Sequence, residues 1–183
     1  MSLAGIRSNR GDGYQAVVAL DWALTVLSDP DYDWIEIDSI NWLVDDVVIG
    51  KRDGTIICCQ CKKNQIDYKH WNISDLADEF KKAAELLSNR QQSQVRFYSR
   101  SPFGDIAKLR EHSTTQSSDQ SYYSSLSIEL KKTDSSLSSY LAHSFSISTY
   151  QFLCRISLEV SPELDRMQTL IRERLRHLTC HSD

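Results

Sequence analysis

The chain has 183 residues, of which 40% are hydrophobic and 25% charged, enough for one domain with a true core or one domain plus a helical appendage. A formal net charge of −4 excludes a protein that holds nucleic acid by bulk positive charge, although a local basic rim remains open to it. No run approaches the ~20 consecutive apolar residues of a membrane span, and Met1–Arg7 lacks the apolar core of a secretory signal, so a cytoplasmic protein with no membrane partner is expected.

Residues 5–13 hold Gly5, Gly11 and Gly13 beside Asn9 and Asp12 and read as a loop. Val17, Val18, Leu20, Ala23, Leu24 and Leu27 recur at helical spacing and predict a helix from about Gly13 to Leu27, closed by Ser28-Asp29-Pro30. Trp34-Ile35-Glu36-Ile37 alternates like a short strand. Residues 44–62 read as a hairpin around Lys51-Arg52-Asp53-Gly54. Ser74 is the expected N-cap of a helix through about Leu87, with Leu76, Phe80, Ala83, Ala84 and Leu87 on its apolar face. Residues 94–99 predict a strand and Phe103–Glu111 a short helix behind Pro102.

From residue 112 the composition turns to Ser and Thr, and a mobile loop over 112–121 followed by helical structure is expected. Helices are predicted over Leu137–His143 and Pro162–Leu178, the last amphipathic through Leu164, Met167, Leu170, Ile171, Leu175 and Leu178. The fold class is thus α/β, a small mixed sheet flanked by helices. Residues 1–111 form the expected core, and 112–183 a helical extension that belongs to the same domain or leads into a further C-terminal module.

The five cysteines are Cys58, Cys59, Cys61, Cys154 and Cys180. With no second ligand pair at zinc spacing, they read as reduced, buried, small apolar side chains.

The hairpin carries the chemistry. Val44-Asp45-Asp46-Val47-Val48-Ile49 places two carboxylates beside an apolar strand, and Ile57-Cys58-Cys59-Gln60-Cys61-Lys62 puts Gln60 and Lys62 on one strand face. Phosphodiester hydrolysis needs an activated water, neutralised phosphate charge and an electrophile. Asp45 or Asp46 offers carboxylate oxygen to Mg²⁺, Gln60 an amide oxygen and Cys61 a main-chain carbonyl. Lys62 is placed to orient or deprotonate water, or to hold the phosphate. Register decides which aspartate leads. A two-residue turn sets Asp45 opposite Lys62, a four-residue loop sets Asp45 opposite Gln60, and a one-residue bulge sets Asp46 opposite Gln60. The basic rim would draw on Arg7, Arg10, Lys51, Arg52, Lys62, Lys63 and Lys69.

Asp46-Val47-Val48 followed by Gln60-Cys61-Lys62 resembles the PD-(D/E)xK restriction-endonuclease-like superfamily in its Mrr-like form, where Gln replaces the acid. Gly13-Tyr14-Gln15 and Phe97-Tyr98-Ser99-Arg100-Ser101-Pro102-Phe103-Gly104 are similar to the Cap-type effector endonucleases of bacterial CBASS systems and the N-terminal domains of STAND-type (Avs-like) antiphage NTPases. The resemblance covers residues 5–111 well and the remainder loosely. It implies a restriction-endonuclease-like core that cleaves double-stranded DNA with Mg²⁺ or Mn²⁺. Clustering into a homo-oligomer by a fused sensor or NTPase module would switch it on. It further implies Asp46, Gln60 and Lys62 as catalytic residues. Asp46, Gln60 and the Cys61 carbonyl would hold metal, with Asp45 and Glu36 as further candidate ligands. Gln15 would support the site, and Arg7, Arg10 and Lys63 would contact DNA. An RNase, or a non-catalytic binding or oligomerisation module, is the competing expectation.

Overall fold

A computed structural model describes residues 3–62, 65, 69–141 and 146–180, with side chains from residue 13 to residue 179. Helix α1 (Leu3–Ser28) leads into strands β1 (Tyr32–Ile37), β2 (Val47–Lys51) and β3 (Ile56–Lys62). A 3₁₀ turn (Ile73–Leu76) and α2 (Ala77–Asn89) return the chain to β4 (Ser93–Ser99). Helices α3 (Gly104–Thr114), α4 (Asp119–Ser125), α5 (Ile128–Leu141) and α6 (Thr149–Arg155) precede β5 (Ile156–Val160) and α7 (Leu164–Cys180).

The five strands form one mixed sheet in sequential order, antiparallel from β1 to β3 and parallel from β3 to β5. A parallel pair requires a crossover. Here α2 supplies one, and the α3–α6 segment the other. Helices cover both faces, which is why β2 reads Val47-Val48-Ile49-Gly50 without polar alternation, all four buried. Val48, Cys58, Val95 and Phe97 face the α2 side, where Phe80 meets Phe97 edge-on at 5.2 Å and Phe152 at 5.8 Å. Val47, Ile49, Ile57 and Cys59 face α1, against Tyr14, Val18 and Trp22.

Several expectations are corrected. Residues 5–13 are helical, because glycine lowers helix propensity by about 1 kcal/mol without forbidding the conformation. Ser74 is not the cap. Asn72 precedes the 3₁₀ turn, and its main-chain N–H donates to the Asp75 carboxylate at 3.0 Å. Residues 112–121 are not one loop, since α3 runs to Thr114 and α4 begins at Asp119. Its hydroxyls serve the helices: Ser113 and Thr114 donate to the carbonyls three residues back, and Ser118 caps α4 by accepting from Ser121 N–H at 3.2 Å. The helix expected from Leu137 starts at Ile128; residues 142–145 lie outside the described residues.

Helix α6 and strand β5 have no counterpart among the predicted elements. They bring the segment after residue 111 into the same sheet and core, through Phe152, Leu153 and Ile156. Arg155 secures this join by donating to the carbonyls of Leu87 at 2.6 Å and Ser93 at 2.9 Å, tying the end of α2 to the start of β4. The inner face of α7 packs within the chain, Ile171 against Val17 and Leu24, while Leu170, Leu175 and Leu178 stay exposed. Among the described residues no helix is long and apolar enough to cross a membrane.

Candidate active site

The β2–β3 turn decides which aspartate enters the site. Lys51 N–H donates to Thr55 C=O at 2.9 Å and Gly54 N–H to Lys51 C=O at 3.1 Å, so the loop is the three residues Arg52-Asp53-Gly54. Gly54 takes the left-handed position such a loop needs, at φ 86°. The resulting register pairs Val47 with Cys59 and Val48 with Cys58, and its continuation sets Asp46 opposite Gln60. The two alternatives with Asp45 facing Lys62 or Gln60 are thereby overturned. The Asp46 carboxylate meets Gln60, on the strand face that Cys58 shares with Val44 and Val48 toward α2.

Beyond Val47 the ladder breaks in a specific way. In a continued β2–β3 pair the Asp45 carbonyl would accept from Cys61 N–H. Instead that carbonyl turns toward β1 and accepts from Ser39 N–H at 3.0 Å, next to Asp38 N–H donating to Asp46 C=O at 3.2 Å. Asp38 sits at the left-handed φ of 52° that this kink requires. The abandoned Cys61 N–H is taken by the Asp46 carboxylate, whose Oδ2 accepts from it at 2.5 Å and from Gln60 Nε2 at 2.6 Å. Because N–H and C=O of one strand residue point the same way, the Cys61 carbonyl faces this same gap.

Lys62 follows on the same face as Gln60 and donates to Glu79 in the first turn of α2. Gln15 of α1 reaches the site from the other side of the sheet, donating from Nε2 to Asp46 C=O at 3.0 Å and to Asp38 Oδ1 at 2.5 Å. Asp46, Gln60, Cys61, Lys62 and Gln15 are therefore brought together. Glu36 pairs with Val48, two residues along from Asp46. Among the described residues no three His, Cys, Asp or Glu side chains group as a metal cluster. The side chains of Arg7 and Arg10, and all of Lys63, lie outside the described residues. Glu79 and Asp38 were missed by sequence reasoning. Neither carries a local signal, since each acts through a partner distant along the chain.

Burial raises the Asp46 carboxyl above its ordinary value. The Cys61 N–H bond opposes this, the Asp45 charge adds to it, and Lys62 and Gln60 pull it down. Burial likewise lifts the Cys58 thiol to about 12 and those of Cys59 and Cys61 well above the ordinary range. Uncharged thiols are poor metal ligands. The oxygen donors are different: one carboxylate, one amide and one main-chain carbonyl converge on a half-buried edge. That set fits a hard divalent cation that keeps most of its water. Such a cation would also offset the desolvation that disfavours ionised Asp46.

No protein-family model, curated protein or solved structure matches the chain.

Proposed function

We propose that this chain is a divalent-cation-dependent endonuclease domain that cleaves double-stranded DNA. The observation that supports it most is the kink at Asp45–Asp46, which substitutes a side-chain carboxylate for a main-chain acceptor beside Gln60, Cys61 and Lys62. A ladder built for stability alone has no need of that substitution. Asp46, Gln60 through its amide oxygen and the Cys61 carbonyl would hold Mg²⁺ or Mn²⁺. The ion would supply an activated water and neutralise phosphate charge. Lys62 orients the attacking water or the scissile phosphate, with Glu79 fixing the position of its ammonium. Gln15 holds the Asp46 main chain. The resemblance to antiphage effectors extends the proposal to a domain activated by self-association, under a sensor or NTPase module fused to it.

A second reading has its own support. Asp46 and Lys62 are each satisfied by protein partners without any ion, as a non-catalytic DNA-binding or oligomerisation module would have them. Incubation of supercoiled plasmid with Mg²⁺ or Mn²⁺, with and without EDTA, separates the two. Metal-dependent cleavage by the wild type, lost in folded Lys62→Ala and Asp46→Ala variants, supports the nuclease. Cleavage surviving in both variants removes the assignment of these residues, and no cleavage of DNA with cleavage of RNA moves the substrate.

A further inference from the structure

Lys62 and Ser99 pair at the carboxyl ends of β3 and β4, so Arg100 is the next residue beyond this edge. Its guanidinium pairs with Glu163, one residue before α7. Around it stand two hydroxyls: Tyr14 of α1 donates to Ser161 Oγ at 2.8 Å, and Ser161 N–H is bound to the Ser99 carbonyl at 2.8 Å. Tyr14 and Cys61 pack in the same cluster on the α1 side of the sheet, while Lys62 lies on the α2 side.

Resting on the nuclease reading, we propose that Arg100 is a DNA-phosphate contact whose charge is covered in the free protein by Glu163, an acidic latch that the DNA backbone displaces. The asymmetry of the pair supports the exchange. The Arg100 side chain is only 22% exposed, just beyond the end of β4, whereas Glu163 is 64% exposed on a connecting segment. A carboxylate that stands mostly in water adds little to such a pair, so a phosphate can replace it at small cost. Guanidinium then offers phosphate the same two-pronged geometry it offers carboxylate. Lys62 on one face and Arg100 on the other would flank a strand of DNA crossing the Asp46–Cys61 edge.

The test is binding of a fluorescently labelled duplex DNA in EDTA, followed by anisotropy over a salt series, so that cleavage plays no part. Arg100→Ala is expected to weaken binding several-fold and to lower the slope of log affinity against log salt by about one. Glu163→Gln, at an exposed position that leaves the core intact, is expected to tighten binding about two- to fivefold, an effect lost when combined with Arg100→Ala. Glu111→Gln, the same charge change on an exposed residue of α3, serves as control. Equal tightening by Glu111→Gln and Glu163→Gln, or wild-type affinity in both Arg100→Ala and Glu163→Gln, would overturn the latch while leaving the nuclease reading intact. A wild-type protein that holds no DNA even at low salt, with or without Ca²⁺, overturns the DNA reading itself.

Discussion

Lys62 donates to Glu79 across the contact between β3 and α2, and both side chains are only 21% exposed. A lysine has three donors on a flexible four-carbon stem. One bond to Glu79 removes much of that freedom and leaves two N–H groups for water or phosphate. Glu79→Gln is therefore expected to lower kcat for plasmid cleavage about tenfold with little change in KM, because misplacing a catalytic group penalises the transition state more than binding. Glu79→Asp should recover less than half of the loss, its shorter arm failing to reach. Initial-rate kinetics on purified variants decide it, and equal rates in all three proteins would remove Glu79 from the site.

Asp46 gives a prediction in which stability and activity part company. Its folded-state value is raised, so the folded protein holds that proton more tightly than the unfolded chain does. The associated stability is fully present below the ordinary carboxylate range and lost as pH rises through the raised value. Asp46→Asn removes this loss, since an amide can still accept from Cys61 N–H. The variant is expected to be at least as stable as wild type at pH 7 and inactive as a nuclease. Asp134, buried and raised chiefly by desolvation while it accepts from Tyr122 at 2.8 Å, follows the same sign. Asp134→Asn should likewise flatten the fall in stability but leave cleavage unchanged. Urea midpoints at pH 4.5 and pH 7 measure both.

On the proposed function, a cation held by Asp46, Gln60 and the Cys61 carbonyl would stabilise the folded state by mass action. At 100 times its dissociation constant the gain is about 2.7 kcal/mol. Millimolar Mn²⁺ or Mg²⁺ is thus expected to raise the melting temperature of the wild type by several degrees. Asp46→Asn should abolish the shift and Lys62→Ala should preserve it. Differential scanning fluorimetry with and without EDTA reads this directly; an equal shift in wild type and Asp46→Asn would place any bound ion elsewhere.

Gly50 answers to packing alone. It pairs with Trp34 on β1 and with Ile56 on β3, and a Cβ added there would overlap the Trp34 indole ring. Overpacking of this kind costs typically 1–3 kcal/mol. For a domain of this size Gly50→Ala should lower the melting temperature by about 5 °C, at 2–4 °C per kcal/mol. Thermal unfolding followed by circular dichroism checks it, and an unchanged transition would mean that the indole moves aside freely.

The elements with a strong local period were legible in the sequence: the apolar face of α2, strand β1 and the runs of β2 and β3 all follow from residues near one another in the chain. The Gln60–Lys62 spacing on one strand face was equally local, because alternation needs no partner. The choice between Asp45 and Asp46 was not. A slip of one residue turns every side chain to the other face, and the slip depended on a three-residue loop, the left-handed Asp38 and a carbonyl drawn toward Ser39. Glu79 and Glu163 were beyond reach for a related reason, as each meets its cation only once helices pack on the sheet. Strand β5 and helix α6 remained unseen because a parallel edge strand draws its stability from β4, far back in the chain. Local periodicity thus determined α2, the strands β1 to β4 and which face carries Gln60 and Lys62. Tertiary structure decided which carboxylate meets them and which acids hold the site's bases, because those contacts depend on long-range register and helix packing.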